Sequence, residues 1–429
     1  MPARNDSAKD LDASPIFIAG LGHVGLTLAL ACVSVGHKVY GYDVSADLLH
    51  SLSSGTAHTE AASSAGVQHA LRDGQLTLTL DPSDCQRAKV VIICVPTPLS
   101  PVGTPDLSAV QTAAEVMARF ARPGTLVILE STVHPGTTEQ YVIPAFIKEG
   151  RTVGNDIYIA YSPERLDPGN PRFRMGNIPK IVAGATTECT LRARAFYSTI
   201  VTEVVTATGI REAEMAKLLE NTYRQVNISL VNEMAMVCHS LGIDVWDVIR
   251  CAATKPFGYA RFDPGPGIGG DCIAVDPIYL NSFVQKQLGR PSRMIEAANA
   301  INVEMPGYVV HRTIELLHSF RVPIPGATVL LIGVSYKADI SDVRNSPALP
   351  VAHELLASGL RVSYLDPHVS SFLVDSLEIE RVNLGEDRHF DLVLLLQHHK
   401  LVDSNEAAKL GSIVLDTRGV CTAPNAHYL

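Results

Sequence analysis

Ile16-Phe17-Ile18-Ala19-Gly20-Leu21-Gly22-His23-Val24-Gly25 is the first strongly patterned segment of this chain. Its four leading apolar residues predict a buried strand, and the glycines that follow have the spacing G-x-G-x-x-G. Gly20 permits a tight turn, Gly22 lets the backbone approach a pyrophosphate, and Gly25 lets the next helix pack closely. The phosphates would meet the helix N-terminus, where free N–H groups attract an anion. The segment therefore predicts a dinucleotide-binding βα unit, and a glycine turn used for packing alone is the alternative.

An acidic residue follows the next β-rich run. Residues 38–42 are followed by Asp43, about twenty residues beyond the glycine loop. A carboxylate at this position hydrogen-bonds a ribose 2′-OH in dinucleotide-binding proteins. The same carboxylate repels a 2′-phosphate, so we expect the cofactor to be NAD rather than NADP.

The rest of the chain alternates between β-rich and helical patterns. Apolar runs at 90–95, 126–130, 157–161, 180–183 and 202–206 are separated by helical stretches, which is typical of a doubly wound parallel sheet. Residues 209–239 contain no proline and no glycine after Gly209, and they predict a helix of about thirty residues. A β-rich pattern restarts after residues 323–326. We predict an α/β protein with two Rossmann-like domains, joined by a long central helix and a helical middle domain.

These patterns give the expected domain boundaries. Residues 1–14 would be a disordered extension and residues 15–207 the NAD-binding domain. Residues 208–322 would form the central helical domain, and residues 323–429 a second, smaller α/β domain.

Composition excludes several classes of function. The 429 residues carry a net charge of −9, which argues against a nucleic-acid partner. None of the eight cysteines has C-x-x-C spacing, so we expect no zinc site and a reducing, cytoplasmic compartment. Residues 16–36 are apolar enough to span a bilayer, but their glycines indicate a buried βα unit instead, and we expect no membrane partner. We interpret the pair His398-His399 as surface or loop, with a metal site as the less favoured alternative.

A glycine- and proline-rich loop at 262–271 precedes Cys272. Such a loop exposes backbone N–H groups to a ligand, and a cysteine at a helix start favours the thiolate. Asp276 lies one helical turn further on. Beside a nicotinamide, a thiolate can add to an aldehyde, and a second hydride loss then leaves a thioester that water cleaves. An ordinary buried cysteine is the alternative.

The long helix carries an amine and an amide on one face, because Lys217 and Asn221 are four residues apart, with Glu214 and Glu220 nearby. The ammonium and the amide together could stabilise a developing oxyanion. A solvated helix face with ordinary ion pairs is the alternative.

With these features the chain resembles the UDP-glucose/GDP-mannose dehydrogenase family from about residue 15 to about residue 420. The segments that carry the resemblance are 20–25, 95–98, 130–138, 162–165, 212–221, 265–276, 333–337 and 342–347.

The resemblance implies oxidation of the sugar C6 in two steps that use two NAD. It makes Cys272 the nucleophile and Lys217 the oxyanion stabiliser, with Asn221 and Asp276 around an ordered water and Thr132 and Glu164 near the reacting carbon. The implied cofactor contacts are Gly20, Gly22, His23, Val24, Gly25, Asp43, Pro96, Thr97, Thr132 and Arg344. The implied UDP-sugar contacts are Glu164, Arg165, Lys217, Asn221, Gly265, Gly267, Gly269 and Lys337. The C-terminal domain would bind UDP, no metal is implied, and a homodimer built on the long helix, or a dimer of dimers, is expected.

Details favour a subgroup. Segments 162–170, 177–180, 255–258 and 264–267 look like those of UDP-N-acetylglucosamine 6-dehydrogenases. A surface polysaccharide and a secondary metabolite would both use the uronic acid that such an enzyme makes. UDP-glucose enzymes carry a second glutamate where this chain has Pro168. In addition, His23 replaces a tyrosine, and Asp271 stands where relatives often have histidine.

The sequence is also compatible with several other functions. The substrate could be UDP-glucose or UDP-N-acetylmannosamine. A two-electron enzyme such as a 3-hydroxy acid dehydrogenase would need neither Cys272 nor a UDP domain. Asp271 and the missing glutamate would also fit a non-catalytic protein that binds a nucleotide sugar.

Overall fold

The computed structural model describes residues 14–59, 62–100, 103–167, 170 and 172–429, together with the backbone but not the side chains of Asp271 and Cys272. The chain forms two units, Met1–Leu219 and Glu220–Leu429. The extension predicted for residues 1–14 lies outside the described residues except for Ser14, which is buried. The predicted boundaries at 207/208 and 322/323 stay a prediction.

The first unit is built on an eight-stranded sheet with the order β3-β2-β1-β4-β5-β6-β7-β8. Its strands are β1 (Ile16–Ala19), β2 (Val39–Tyr42), β3 (Leu76–Thr79), β4 (Val90–Ile93), β5 (Leu126–Leu129), β6 (Tyr158–Tyr161), β7 (Lys180–Gly184) and β8 (Val204–Thr206). Its helices are α1 (His23–Ser34), α2 (Ala46–Ser53), α3 (Ser64–Arg72), α4 (Ser108–Phe120), α5 (Ile143–Lys148) and α6 (Thr187–Tyr197). Every residue of β1, β4, β5 and β6 is buried, which explains their continuous apolar sequences.

Two features of this sheet differ from the sequence-based expectation. Strand β3 was not predicted, because its sequence alternates leucine and threonine at the sheet edge, where it is only partly covered. Strands β6 and β7 pair antiparallel, with Ala160 opposite Gly184 and Tyr161 opposite Ala183, whereas the other neighbours in the sheet pair in parallel.

The second unit combines helices with a six-stranded parallel sheet of the order β13-β10-β9-β14-β15-β16. The helices are α7 (Ile210–Ser240), most of which lies in this unit, α8 (Val245–Ala252), α9 (Asp271–Leu288), α10 (Arg293–Ser319), α11 (Ala348–Ala357) and α12 (Ser404–Ala408). The strands are β9 (Thr328–Ile332), β10 (Arg361–Leu365), β13 (Glu380–Arg381), β14 (Phe390–Leu395), β15 (Gly411–Asp416) and β16 (Ala426–Tyr428), with a small hairpin of β11 (Leu373–Val374) and β12 (Leu377–Glu378). The predicted fold class, two α/β domains with a helical middle, is confirmed.

Helix α7 has 31 residues, close to the predicted length. Its buried face in the second unit is partly polar: Asn232 donates to Asn302 Oδ1 at 3.0 Å and accepts from the backbone N–H of Gly265 at 3.0 Å. Many of its apolar residues are exposed instead, at Leu219, Tyr223, Leu230, Met234 and Val237. The apolar periodicity that predicts this helix therefore marks an exposed stripe as well as the core.

In the first unit, Glu214 of α7 anchors the loop that follows β5. Its fully buried carboxylate accepts hydrogen bonds from the Gly136 N–H at 2.6 Å, the Thr138 N–H at 2.9 Å and the Thr138 hydroxyl at 2.7 Å. Burial raises the pKa of Glu214 to about 7, although these donors act in the opposite direction.

The raised pKa predicts a pH-dependent stability of this anchor. The folded form takes up a proton at a pH where the unfolded form has already lost it, so the free energy of opening should fall as pH rises from about 4.5 to about 7 and then level off. The fall should be on the order of 3 kcal/mol, measured by hydrogen exchange at Gly136 and Thr138. The E214Q variant should lose this slope, whereas E212Q, which changes an exposed carboxyl of the same helix, should keep it. A slope that persists in E214Q would contradict the assignment.

Candidate active site

The glycine loop between β1 and α1 has room for a phosphate and no room for side chains at its turn. Gly20 has φ of +96°, and a Cβ there would lie 2.5 Å from the Cys94 carbonyl oxygen. A Cβ on Gly25 would lie 1.9 Å from the Gly20 carbonyl oxygen. At Gly22, which precedes α1, a Cβ would meet nothing within 4 Å, and no side chain caps the helix. The open cradle in front of uncapped N–H groups fits the pyrophosphate of a dinucleotide.

Asp43 holds this loop in place. Its Oδ2 accepts from the Leu21 N–H at 2.8 Å, and its Oδ1 accepts from the Ser45 N–H at 2.9 Å. Each carboxylate oxygen can accept a further hydrogen bond, so these contacts are compatible with the predicted ribose contact. Among the other predicted cofactor residues, His23 and Pro96 are exposed, and Val24 and Thr97 are half-buried.

The segments that follow β4, β5 and β6 lie side by side. The Ser131 hydroxyl donates to the Val95 carbonyl oxygen at 2.7 Å and joins the segment before Pro96 to the one with the half-buried Thr132. Glu164 follows β6, and its Oε1 accepts from the backbone N–H groups of Arg165 and Leu166, each at 2.5 Å. Its Oε2 is buried without a hydrogen-bond partner and lies 3.7 Å from the Lys180 ammonium.

Lys217 is buried in the first unit, with 8% of its surface exposed. It makes no hydrogen bond or ion pair in the part of the chain that the structure describes. The Lys217 side chain is therefore largely covered by protein, and its ammonium is not already paired with a carboxylate of the described residues. The alternative of a solvated helix face therefore does not hold for Lys217.

Asn221, in the second unit, is also buried, and its side-chain amide donates to Asp276 Oδ2 of helix α9 at 2.5 Å. Cys272 lies in the first turn of α9, one turn before Asp276, as predicted, and its side chain is outside the described residues. Gly270, with φ of +80°, precedes this helix without a side-chain cap.

The loop that leads to Cys272 packs against the segment after β9. A Cβ on Gly269 would lie 2.7 Å from the Asn345 carbonyl oxygen, and one on Gly270 would lie 2.6 Å from the Tyr336 ring. Gly267 has φ of +123°. Glycines are therefore needed here for close approach within the second unit itself, in addition to any contact with a ligand.

A cavity of the second unit lies at the carboxyl ends of its central strands. It is lined by residues that include Pro266, Gly267, Ser335, Tyr336, Gln397 and Arg418. Arg418 donates to Gln397 Oε1 at 2.9 Å, and burial lowers the pKa of its guanidinium. Sequence reasoning missed Tyr336, Gln397 and Arg418. The rule that ligands bind at the carboxyl ends of parallel strands could have found the last two, which follow β14 and β15.

Two predicted ligand residues of the second unit have other contacts. Lys337 is half-buried, and its carbonyl oxygen accepts from the Ser335 hydroxyl at 2.8 Å. The exposed Arg344 pairs with Asp342, whose Oδ2 lies 2.6 Å from Nη2. Their roles toward substrate and cofactor stay predictions.

The pair His398-His399 lies in the loop after β14, but His399 is not on the surface, because its side chain is fully buried. Its Nε2 lies 3.0 Å from Asp366 Oδ2, and its Nδ1 accepts from the Asp339 N–H at 3.0 Å. Asp339, His368 and His399 have potential metal-ligand atoms within 4.8 Å of one another. However, the Lys400 ammonium already lies 2.9 Å from Asp339 Oδ2, and both ring nitrogens of His399 are engaged, so the cluster supports no metal role.

Comparison with known proteins agrees with this geometry. Residues 14–201 match the NAD binding domain of the UDP-glucose/GDP-mannose dehydrogenase family, residues 211–304 its central domain, and residues 330–423 its UDP binding domain. A UDP-N-acetyl-D-glucosamine 6-dehydrogenase from Pseudomonas aeruginosa is 35% identical over 367 residues, which cover 85% of this chain and 84% of that protein. This chain belongs to the UDP-glucose/GDP-mannose dehydrogenase family.

Other relatives extend the match over nearly the whole chain. A UDP-N-acetyl-D-mannosamine dehydrogenase from Pyrococcus horikoshii is 34% identical over 424 residues, which cover 96% of this chain and 97% of that protein. A solved structure of UDP-D-ManNAc dehydrogenase from the same organism has a TM-score of 0.87 at 30% identity, covering 96% of this chain and 98% of that one. An NDP-N-acetyl-D-galactosaminuronic acid dehydrogenase from Ralstonia nicotianae is 32% identical over 431 residues, covering 97% and 99%.

These matches confirm three predictions: the family, NAD as cofactor, and the activity of an NAD-dependent UDP-sugar dehydrogenase. In the described part of the dehydrogenase, none of the helices is both long and apolar enough to cross a membrane. The roles of individual site residues stay predictions.

Two glycine variants separate the fold of the cofactor loop from its binding function. G22A should fold like the wild type, because its methyl group meets nothing within 4 Å. It should nevertheless bind NAD about tenfold more weakly or worse, because the methyl occupies the place of the pyrophosphate. G25A should lose both loop stability and NAD binding. Calorimetric titration with NAD and thermal unfolding distinguish the two effects, and wild-type affinity in G22A would place the pyrophosphate elsewhere.

Proposed function

We propose that this dehydrogenase oxidises the C6 alcohol of a UDP-N-acetylhexosamine to the carboxylate, with UDP-N-acetylglucosamine as its preferred substrate. The proposal rests on the names of the relatives, which specify N-acetylglucosamine, N-acetylmannosamine and N-acetylgalactosaminuronic acid. Segments 162–170 and 177–180, which look like those of UDP-N-acetylglucosamine enzymes, support the choice among these sugars.

The proposed chemistry assigns each step to a residue. NAD, held by the glycine loop and Asp43, would accept a hydride in each of two oxidations. Lys217, which makes no ion pair in the described residues, would stabilise negative charge on the C6 oxygen. Cys272 would bond to the aldehyde carbon and hold it until the thioester forms. Water would then cleave the thioester, with Glu164 accepting a proton and the Asn221–Asp276 pair binding polar groups nearby.

The alternatives differ in product and stoichiometry. UDP-glucose or UDP-N-acetylmannosamine would keep the mechanism and change the sugar. A two-electron 3-hydroxy acid dehydrogenase is disfavoured by the match of residues 330–423 to a UDP binding domain. A non-catalytic homologue would bind a UDP-sugar and form no NADH.

The test is NADH formation with limiting amounts of each UDP-sugar, run to completion. We expect two NADH per UDP-N-acetylglucosamine, and no carboxylate from C272A. The matched control is C251A, which removes an exposed cysteine and should keep full activity. Two NADH from another sugar alone would change the substrate, one NADH per sugar would contradict the thioester route, and none from any sugar would favour the binding protein.

We further propose that two copies of this dehydrogenase associate through helix α7, as the family resemblance implies. The exposed residues Leu219, Tyr223, Leu230, Met234 and Val237 recur every three, four or seven positions, so they form one stripe along the helix. A continuous apolar stripe of this kind is typical of a protein interface.

A charge in this stripe should separate the copies. Leu230 is 52% exposed, and L230E should halve the mass measured by light scattering at micromolar concentration. L401E is the matched control, because Leu401 is 69% exposed and lies outside the stripe. An unchanged mass in L230E, or a wild type that is already monomeric, would contradict association through this helix.

A further inference from the structure

A buried cluster of charge lies in the first unit at the carboxyl ends of β5 and β6. It contains Glu130, Lys180, Glu164 and Tyr197, all of which are buried. The Lys180 ammonium donates to Glu130 Oε2 at 2.9 Å and lies 3.7 Å from Glu164 Oε2, while the Tyr197 hydroxyl donates to Glu130 Oε1.

The antiparallel pair of strands places Lys180 in this cluster. Because Ala160 lies opposite Gly184 and Tyr161 opposite Ala183, the same register continued along the chain brings position 164 opposite position 180. The Ser162 hydroxyl, which donates to the Ile181 carbonyl oxygen at 2.7 Å, holds the two segments together beyond the last ladder pair. The contact between Lys180 and Glu164 is therefore a consequence of the sheet topology.

The cluster has two carboxylates around one ammonium. Burial raises the pKa of Glu130, with Lys180 acting against this change and Glu164 adding to it. Burial alone would lower the pKa of Lys180, but the two carboxylates outweigh it and keep the ammonium charged. Lys180 is therefore a fixed positive charge shared by both glutamates.

Glu164 has one oxygen that is fixed and one that is available. Oε1 accepts from two backbone N–H groups, which set the orientation of the carboxylate. Oε2 is buried without a hydrogen-bond donor in the described residues, and the Lys180 ammonium is too distant for a hydrogen bond. Such an oxygen is suited to a water molecule or a substrate hydroxyl as its missing partner.

We propose that Lys180 is a positioning residue for hydrolysis of the thioester, and that it holds the Glu164 carboxylate with Oε2 directed at the attacking water. This inference rests on the proposed function. The water oxygen bonds to the acyl carbon as Glu164 takes one of its protons, the carbon–sulfur bond to Cys272 breaks, and the proton passes from Glu164 to the sulfur. Pro168 stands where UDP-glucose enzymes carry a second glutamate. We assign the proton transfer to Glu164 rather than to Asp276, and Glu164 depends on Lys180 for its position.

The test uses K180M with NAD and whichever UDP-sugar the wild type oxidises. We expect the two oxidations to proceed and hydrolysis to slow by about tenfold or more. The variant should then show a burst of up to two NADH per active site, followed by a slow steady state. Intact-protein mass spectrometry should detect the sugar acyl group on Cys272. K148M, which removes an exposed lysine of the same unit, should behave like the wild type.

A second variant separates positioning from folding. In K180M the buried carboxylates lose their counter-ion, which destabilises the unit. E130Q/K180M removes the carboxylate that Lys180 hydrogen-bonds and should recover the melting temperature while hydrolysis stays slow.

Full recovery of hydrolysis in the double variant would overturn the inference, since Lys180 would then only neutralise Glu130. Wild-type hydrolysis and no acyl-enzyme in K180M would overturn it too. A wild type that forms no NADH with any UDP-sugar would instead overturn the proposed function and this inference with it.

Discussion

Parallel strand pairing is the constraint on which both candidate sites depend. In a parallel sheet all strands end at the same edge, so residues that are far apart in sequence become neighbours there. In the first unit this edge collects the glycine loop after β1, Asp43 after β2, the segment around Thr97 after β4, Thr132 after β5 and Glu164 after β6. In the second unit, the corresponding edge of the other sheet brings together the residues that follow β9, β10, β14 and β15. Gln397 and Arg418 are among these residues, and both line the cavity.

Loops at such an edge need anchors, and this chain uses carboxylates that accept backbone N–H groups. Asp43 accepts from Leu21 at 2.8 Å in the first unit, and Asp366 accepts from Val334 at 2.8 Å in the second. Glu214 holds the loop at 136–138 in the same way. A charge-assisted hydrogen bond is stronger than a neutral one, so a few acids can fix loops that have no regular structure. Some of the acidic residues of this chain therefore stabilise its own loops by accepting hydrogen bonds from backbone N–H groups.

Sequence patterns predicted the features that local chemistry controls. The glycine loop, the buried parallel strands and the long helix α7 each have a signature within a few residues or a single period. The antiparallel pairing of β7 was not predictable in this way, because residues 180–183 have the same apolar character as the parallel strands. The buried face of α7 was not predictable either. Asn232 is accommodated there by Asn302 and Gly265, which are distant in sequence. His399 was misinterpreted for the same reason, since its partner Asp366 lies 33 residues away.

Two buried lysines of the first unit show how surroundings decide what one residue type does. Lys180 lies between two carboxylates, which stabilise its charge before any ligand binds, so its ammonium is suited to holding those carboxylates in place. Lys217 has no such partner in the described part of the chain, so its ammonium is not already paired with a carboxylate. In the role proposed for Lys217, an oxyanion that forms during the reaction would pair with its charge, and it would do so more fully than a neutral substrate hydroxyl could. Differential stabilisation of this kind, stronger in the transition state than in the ground state, is what accelerates a chemical step.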